Sequence, residues 1–168
     1  SEAASIVTLS TIEEYQKYVD AAKYAQKDEM EQLSFLTRFQ ALIIRHRVPH
    51  NELKEMSGKE AFVYAVDSDW IGKTGVVPME IGNVKESGNR AVSDAFHNGQ
   101  KLPYRFTYKK EDGEWKFDLT QILMNTEAPL RMAAKQAQMN ENEFIFVILE
   151  TISGNKPNES LWTPPFKK

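Results

Sequence analysis

Cysteine is absent from the 168 residues, which excludes disulfides, thiolate metal sites and thiol nucleophiles. Long hydrophobic runs are missing too. The longest, Phe144 to Leu149, is far short of the ~20 apolar residues that span a bilayer, so no membrane span is expected. No signal peptide is visible. Neither sign of charge dominates: 21 Lys and Arg stand against 24 Asp and Glu, a net charge of −3. A chain this mildly acidic, with scattered basic residues, lacks the electrostatic footprint of a nucleic-acid binder. Its densest basic cluster, Arg45-His46-Arg47, ends a predicted helix, where cations complement the helix dipole.

Reaction motifs are equally scarce. No Gly-x-Ser-x-Gly nucleophile elbow occurs. Gly72-Lys73-Thr74 looks like the end of a P-loop, but position 67 is Asp instead of Gly and no apolar strand leads into it. His46 and His50 have one-turn spacing, yet Pro49 breaks the helix between them and no third ligand stands nearby. Asp67 and Asp69 pair carboxylates beside Trp70 at a polar helix end, where exposure is expected. Asn158-Glu159-Ser160 is a glycosylation acceptor only in a secreted eukaryotic protein. No metal and no cofactor are expected.

What is present is ordinary globular material, 41% hydrophobic and 27% charged. The length suits one domain, residues 1–168, with a core at 10–124 and a C-terminal helical extension at 125–168. Ser1-Glu2-Ala3-Ala4-Ser5 resembles a mature end left after processing. That is the expectation of an exported, periplasmic bacterial protein, with a cytoplasmic one as the alternative.

The first half reads as three helices. One carries Ile12, Tyr15, Val19 and Ala22 after a cap at Ser10 or Thr11. A second runs from a cap at Asp28 to Val48-Pro49, and a third opens on the capping-box pattern Ser57-Gly58-Lys59-Glu60. From Val76 the hydrophobic period becomes two. The turn dipeptides Ser87-Gly88, Asn98-Gly99 and Asp112-Gly113 divide the stretch into strands near 76–85, 90–97, 102–110 and 115–123. Two helices follow, one from Thr126 and one after Asn140, with Glu143 in the capping-box position and Gly154 as the stop. The second competes with a buried strand over Phe144–Leu149. The tail Leu161-Trp162-Thr163-Pro164-Pro165-Phe166 is irregular because of its prolines, and its aromatics pin it to the body. The fold class expected is α+β, with N-terminal helices packed on a curved antiparallel sheet of four or more strands.

Helices followed by a meander, with the hairpin Lys110-Glu111-Asp112-Gly113-Glu114-Trp115-Lys116-Phe117, resemble the nuclear transport factor 2-like (cystatin-like cone) superfamily over roughly residues 10 to 124. That superfamily holds isomerases, dehydratases, transport adaptors and non-catalytic binding domains, so the resemblance implies a fold and leaves function open.

Two-residue loops set the cross-strand register, and alternation sets the faces. Tyr108 is expected opposite Phe117, Phe106 opposite Leu119 and Tyr104 opposite Gln121. The same face receives Leu102, Ala91, Ser93, Ala95, Glu80, Gly82 and Val84, with His97 beside Pro78. Large side chains then oppose small ones, and a helix laid over them leaves a concavity. The expected ligand-binding residues are Trp70, Glu80, Ser93, His97, Tyr104, Tyr108 and Gln121. The opposite face is expected to carry Val77, Met79, Ile81, Val92 and Phe96 beside Asp94, Arg105, Asp118 and Thr120, with an Asp94–Arg105 ion pair. Covering that outer face calls for the C-terminal helices or a homodimer through it.

These residues point to a non-catalytic domain holding a small apolar or peptide-like ligand, or interacting with protein. One alternative is an isomerase or dehydratase with Glu80 or Asp67 as base and Tyr104 or Tyr108 as oxyanion donor. A structural dimeric subunit is the other.

Overall fold

A computed structural model describes residues 2–68, 70 and 79–167. The chain is α+β. It runs α1 (Leu9–Tyr24), α2 (Lys27–Gln32), α3 (Phe35–Arg47), α4 (His50–Glu55), α5 (Gly58–Asp67), β1 (Met79–Ser87), β2 (Arg90–His97), β3 (Gln100–Glu111), β4 (Glu114–Asp118), α6 (Thr120–Gln136) and α7 (Glu141–Ser153). Asp69, Gly72-Lys73-Thr74, Val77 and the 76–78 part of the first expected strand lie outside the described residues. Contacts divide the chain into two compact units, Ser1–Tyr15 with Gly58–Asn125, and Gln16–Ser57 with Thr126–Lys168.

The first unit holds the sheet, an antiparallel meander in the order β1-β2-β3-β4. Asn98-Gly99 and Asp112-Gly113 turn as the sequence requires, all four residues at positive φ. The first loop is Gly88-Asn89, because Ser87 pairs with Arg90. Two irregularities then alter the expected register. Gly82 and Asn83 together oppose Asp94, between the pairs Ile81–Ala95 and Val84–Ser93. This is a one-residue bulge, and one extra residue swaps the faces of everything beyond it. Glycine is needed there because a Cβ at Gly82 would come within 2.7 Å of Phe96 Cε2. Leu102, Pro103 and Tyr104 oppose the single Ala95. Two extra residues preserve the faces, and Pro103, which has no N–H to give a ladder, suits such a break.

One face therefore collects Ala91, Ser93, Ala95 and Phe106, all buried, with Met79, Ile81 and Val84 of β1. The other collects Arg90, Val92, Asp94 and Phe96 with Glu80, Arg105, Thr107, Lys109, Lys116 and Asp118. Met79, Ile81 and Glu80 thus exchange the faces expected of them. The foreseen Asp94–Arg105 ion pair forms at 3.2 Å, but between directly opposed residues and not diagonal neighbours.

The fourth strand ends at Asp118 instead of Leu123, and α6 begins at Thr120 instead of Thr126. Asp118 Oδ1 accepts the Thr120 N–H at 3.1 Å, and this side-chain turn starts a helix in place of continuing the ladder. The edge of β4 is covered by the chain start, where Phe117 N–H donates to Ile6 O at 2.8 Å and Thr8 N–H to Phe117 O at 3.0 Å. Helix α5 buries Ala61, Phe62 and Ala65, and Phe62 meets the Tyr15 ring edge-on at 5.2 Å.

The second unit is helical. The long helix expected after Asp28 is two, α2 and α3, because Ser34 leaves helical geometry to cap α3 through Thr37 N–H at 3.2 Å. Helix α4, after Pro49, was not expected. The N-cap of α2 is Gln26, reciprocated by Glu29. Buried Arg45 donates to the carbonyls of Ala21, Ala22, Ala25 and Leu161 at 2.5–3.0 Å, which satisfies the last turn of α1. Burial pushes its guanidinium down to about 10, still charged at neutral pH. Buried Arg38 pairs with Glu141, which also holds Arg131 at 3.0 Å. Asn140 and Glu143 form the capping box of α7, and Gly154 ends it at φ 70, so Phe144–Leu149 is helix. The tail is held by Trp162, buried and stacked on Phe146 at 5.7 Å. It includes one short 3-10 turn, Glu159–Trp162, where no regular structure was expected. No helix among the described residues is long and apolar enough to cross a membrane.

Candidate functional site

A half-open concavity of about 380 Å³ lies against the Val92 face of the sheet. Its floor is the row Val92–Thr107–Asp118, one residue from each of three adjacent strands. Arg90 and Lys109, a directly opposed pair, form one side, and Thr120 and Gln121 in the first turn of α6 form another. Backbone alternation thus supplies the floor and the helix start supplies a wall.

A buried polar network stands behind it. Lys109 Nζ donates to Asp118 Oδ2 at 2.7 Å and to Ser10 Oγ at 3.0 Å. The Thr120 hydroxyl donates to Asp118 Oδ1 at 2.6 Å. Thr8 caps α1 by accepting the Thr11 N–H, and Thr11 Oγ1 accepts the Leu119 N–H at 3.1 Å. Thr8, Thr11 and Asp118 are all buried, so the helix starts of α1 and α6 are tied to β3 and β4 by groups removed from water. Part of the outer face is thereby occupied by the chain itself.

The electrostatics decide what this arrangement can do. Burial would raise the Asp118 carboxyl, but hydrogen bonds from Lys109 and from the Thr120 hydroxyl and amide more than offset it and hold it below the ordinary carboxylate range. A carboxylate so held is a weak base, and it already accepts three hydrogen bonds. Lys109 Nζ in turn bridges Asp118 and the Ser10 hydroxyl. The network holds Asp118, Lys109 and Ser10 in fixed relation to one another.

The seven residues expected to line a pocket are only partly brought together. Ser93, Tyr104 and Tyr108 share the Ala91 face as foreseen, with Ser93 Oγ 3.4 Å from Tyr108 Oη. Their neighbours form a run of ring contacts, Tyr104–Phe106 at 6.3 Å, Phe106–Phe117 at 5.4 Å and Phe117–Tyr108 at 5.5 Å. Ser93, Ala95 and Phe106 are buried, so these side chains belong to a packed layer. His97 lies at the end of that face opposite Met79 and accepts from the Asn98 amide at 3.2 Å. Trp70 packs edge-on against Tyr64 at 5.3 Å. Glu80 is exposed and on the other face, carried there by the bulge. Gln121 does not oppose Tyr104, since it lies on α6, where it lines the outer concavity beside Tyr108.

A carboxylate–phenol pair for isomerase chemistry is not assembled by the groups named for it. Glu80 and Asp67 are exposed, and the Tyr104 hydroxyl donates to Met79 Sδ at 3.1 Å. His46 is held by Ser153 at 2.8 Å on α3, while His50 begins α4. Among the described residues no group of three or more His, Asp or Glu could hold a metal ion.

Lys109, Asp118, Ser10, Thr8 and Thr11 were not expected as site residues: Asp118 was expected only as part of the outer face, and Ser10 or Thr11 as the cap of the first helix, a place that Thr8 takes instead. A signal for one of them was present. Asp118-Leu119-Thr120-Gln121 has the spacing of a helix start, Asp to Gln three residues on. Comparison with protein-family models, with curated proteins and with solved structures finds no match to this chain.

Proposed function

We propose that the sheet-bearing unit is a non-catalytic binding domain whose ligand seats in the concavity over Val92, Thr107 and Asp118. The observation that carries this reading is the state of Asp118. A concave site exists, and its buried carboxylate is held by Lys109 and Thr120 as a fixed part of the floor. Val92 and Tyr108 offer apolar surface, while Arg90 and Gln121 add polar groups to the lining. That combination suits a small, largely apolar or peptide-like molecule bearing a carboxylate or amide. The order of helices followed by a four-stranded meander is in keeping with the cone-like superfamily resemblance, in which such binding domains occur.

The test is a thermal-unfolding screen of the full chain with hydrophobic carboxylates and short peptides, followed by amide chemical-shift mapping of any hit. A ligand at about 100 times its dissociation constant adds about 2.7 kcal/mol of stability. Shifts are expected at Val92, Thr107 and Gln121, and Val92→Trp, which fills the cavity, is expected to abolish them while the chain stays folded. Binding that survives Val92→Trp, or that maps elsewhere, would overturn the reading.

A further inference from the structure

β1 stands at one end of the strand order. Among the described residues nothing pairs with its outer edge, since the order ends there. A strand edge presents unpaired N–H and C=O groups, a template for another strand. This edge also carries apolar side chains in water: Ile81 is 62% exposed and Val84 52%.

The bulge at Gly82-Asn83 gives these residues an unusual sidedness. In an unbroken strand, residues 81 and 84 point to opposite faces. Here Ile81 pairs with Ala95 and Val84 with Ser93, so both lie on the Ala91 face. Glu80 pairs with Phe96 and Lys85 with Val92, so both lie on the Val92 face. Glu80 and Lys85 have no ionic partner among the described residues.

We infer that β1 is a self-association edge, pairing antiparallel with β1 of a second copy of this chain about a two-fold axis between Gly82 and Asn83. Directly opposed residues in an antiparallel pair must point to the same face. In a regular strand only registers pairing odd with odd or even with even satisfy this. The bulge reverses the rule, so that a residue before it must oppose one after it of the other parity. The register centred between Gly82 and Asn83 sets Ile81 against Val84 of the second copy and Glu80 against its Lys85. The two-fold repeats both pairs. Four exposed aliphatic side chains then form one patch on the Ala91 face, and two ion pairs form on the Val92 face. Moving the centre by one residue either way opposes neither pair. The occupant that matches this edge in charge, apolarity and sidedness is thus the edge itself.

Sedimentation equilibrium on the full chain at low salt tests the inference. A monomer–dimer equilibrium is expected, weakened about tenfold or more by Glu80→Lys or by Lys85→Glu. The double exchange Glu80→Lys with Lys85→Glu is expected to restore it to within about threefold. Both positions are exposed, so folding, checked by circular dichroism, is expected to persist in every variant. Register is read separately in this cysteine-free chain. Mixed Ile81→Cys and Val84→Cys proteins are expected to cross-link to each other faster than either does to itself, since opposed strand positions lie within disulfide reach. A chain monomeric at about 1 mM would overturn the inference and leave the edge to a foreign strand. A dimer indifferent to Glu80→Lys, or not restored by the double exchange, would overturn it too.

Discussion

Replacing Asp118 separates a cap from a charge. Asp118→Asn keeps an oxygen to accept the Thr120 amide, and Asn caps helices about as well as Asp. What it loses is the negative charge 2.7 Å from Lys109 Nζ. The lysine side chain is 33% exposed and the aspartate side chain 5%, so water screens one member and the pair lies between surface and buried limits. Surface pairs are worth about 0–1 kcal/mol, and breaking a fully buried one costs about 3–5. We expect about 1–2 kcal/mol for Asp118→Asn. Asp118→Ala also removes the acceptor of Thr120 N–H and Oγ1–H, adding about 1 kcal/mol for the cap. That totals about 2–3 kcal/mol, or about 4–12 °C in melting temperature at this size. The pH dependence has a definite sign. A carboxylate held below its ordinary value of about 3.9 contributes stability above that value and loses it as pH falls through the depressed one. The gap between the parent chain and Asp118→Asn should therefore be full at pH 7 and close on acidification below about pH 4. Urea unfolding followed by circular dichroism at both pH values measures it. Equal stability of the two proteins at pH 7, or a gap that persists unchanged at about pH 2, would refute the ion-pair reasoning.

Two other perturbations follow from the same geometry. Gly82→Ala puts a Cβ 2.7 Å from Phe96 Cε2 and 3.1 Å from the Asp94 carbonyl, and we expect about 1–3 kcal/mol of destabilisation in urea titration, as for other overpacked sites. Arg45→Met strips donors from the carbonyls of Ala21, Ala22, Ala25 and Leu161. A loss of about 3 kcal/mol is expected, with faster amide exchange in the last turn of α1 as the local readout.

Local chemistry made much of this fold legible. Asn98-Gly99 and Asp112-Gly113 can turn at positive φ with little strain, and the alternation of Phe106 and Tyr108 against Phe117 agreed with the second of them. That is why β2, β3 and their shared face were readable. Asn140, Glu143 and Gly154 defined α7 despite an apolar run that also suits a strand, because a reciprocal cap and a left-handed stop are both local. Reading the candidate site required more. It depended on counting residues across β1, where one bulge moves Glu80 to the other face, and on where β4 ends.

The sequence by itself determined the meander, its second and third turns, and the aromatic layer of Tyr104, Phe106, Tyr108 and Phe117. Each rests on backbone preference within a few residues. Tertiary structure decided the rest. Gly82 and Asn83 form a bulge, and Phe96, one strand away, leaves no room there for a Cβ. Asp118 ends β4 and becomes part of the floor of the concavity because Lys109 and Thr120 meet it there, while Ser10 and Thr11 bring the start of α1 alongside. Contacts between residues about a hundred positions apart leave no period in the sequence, and so the Val92 face, expected as a surface to be covered, carries a concavity.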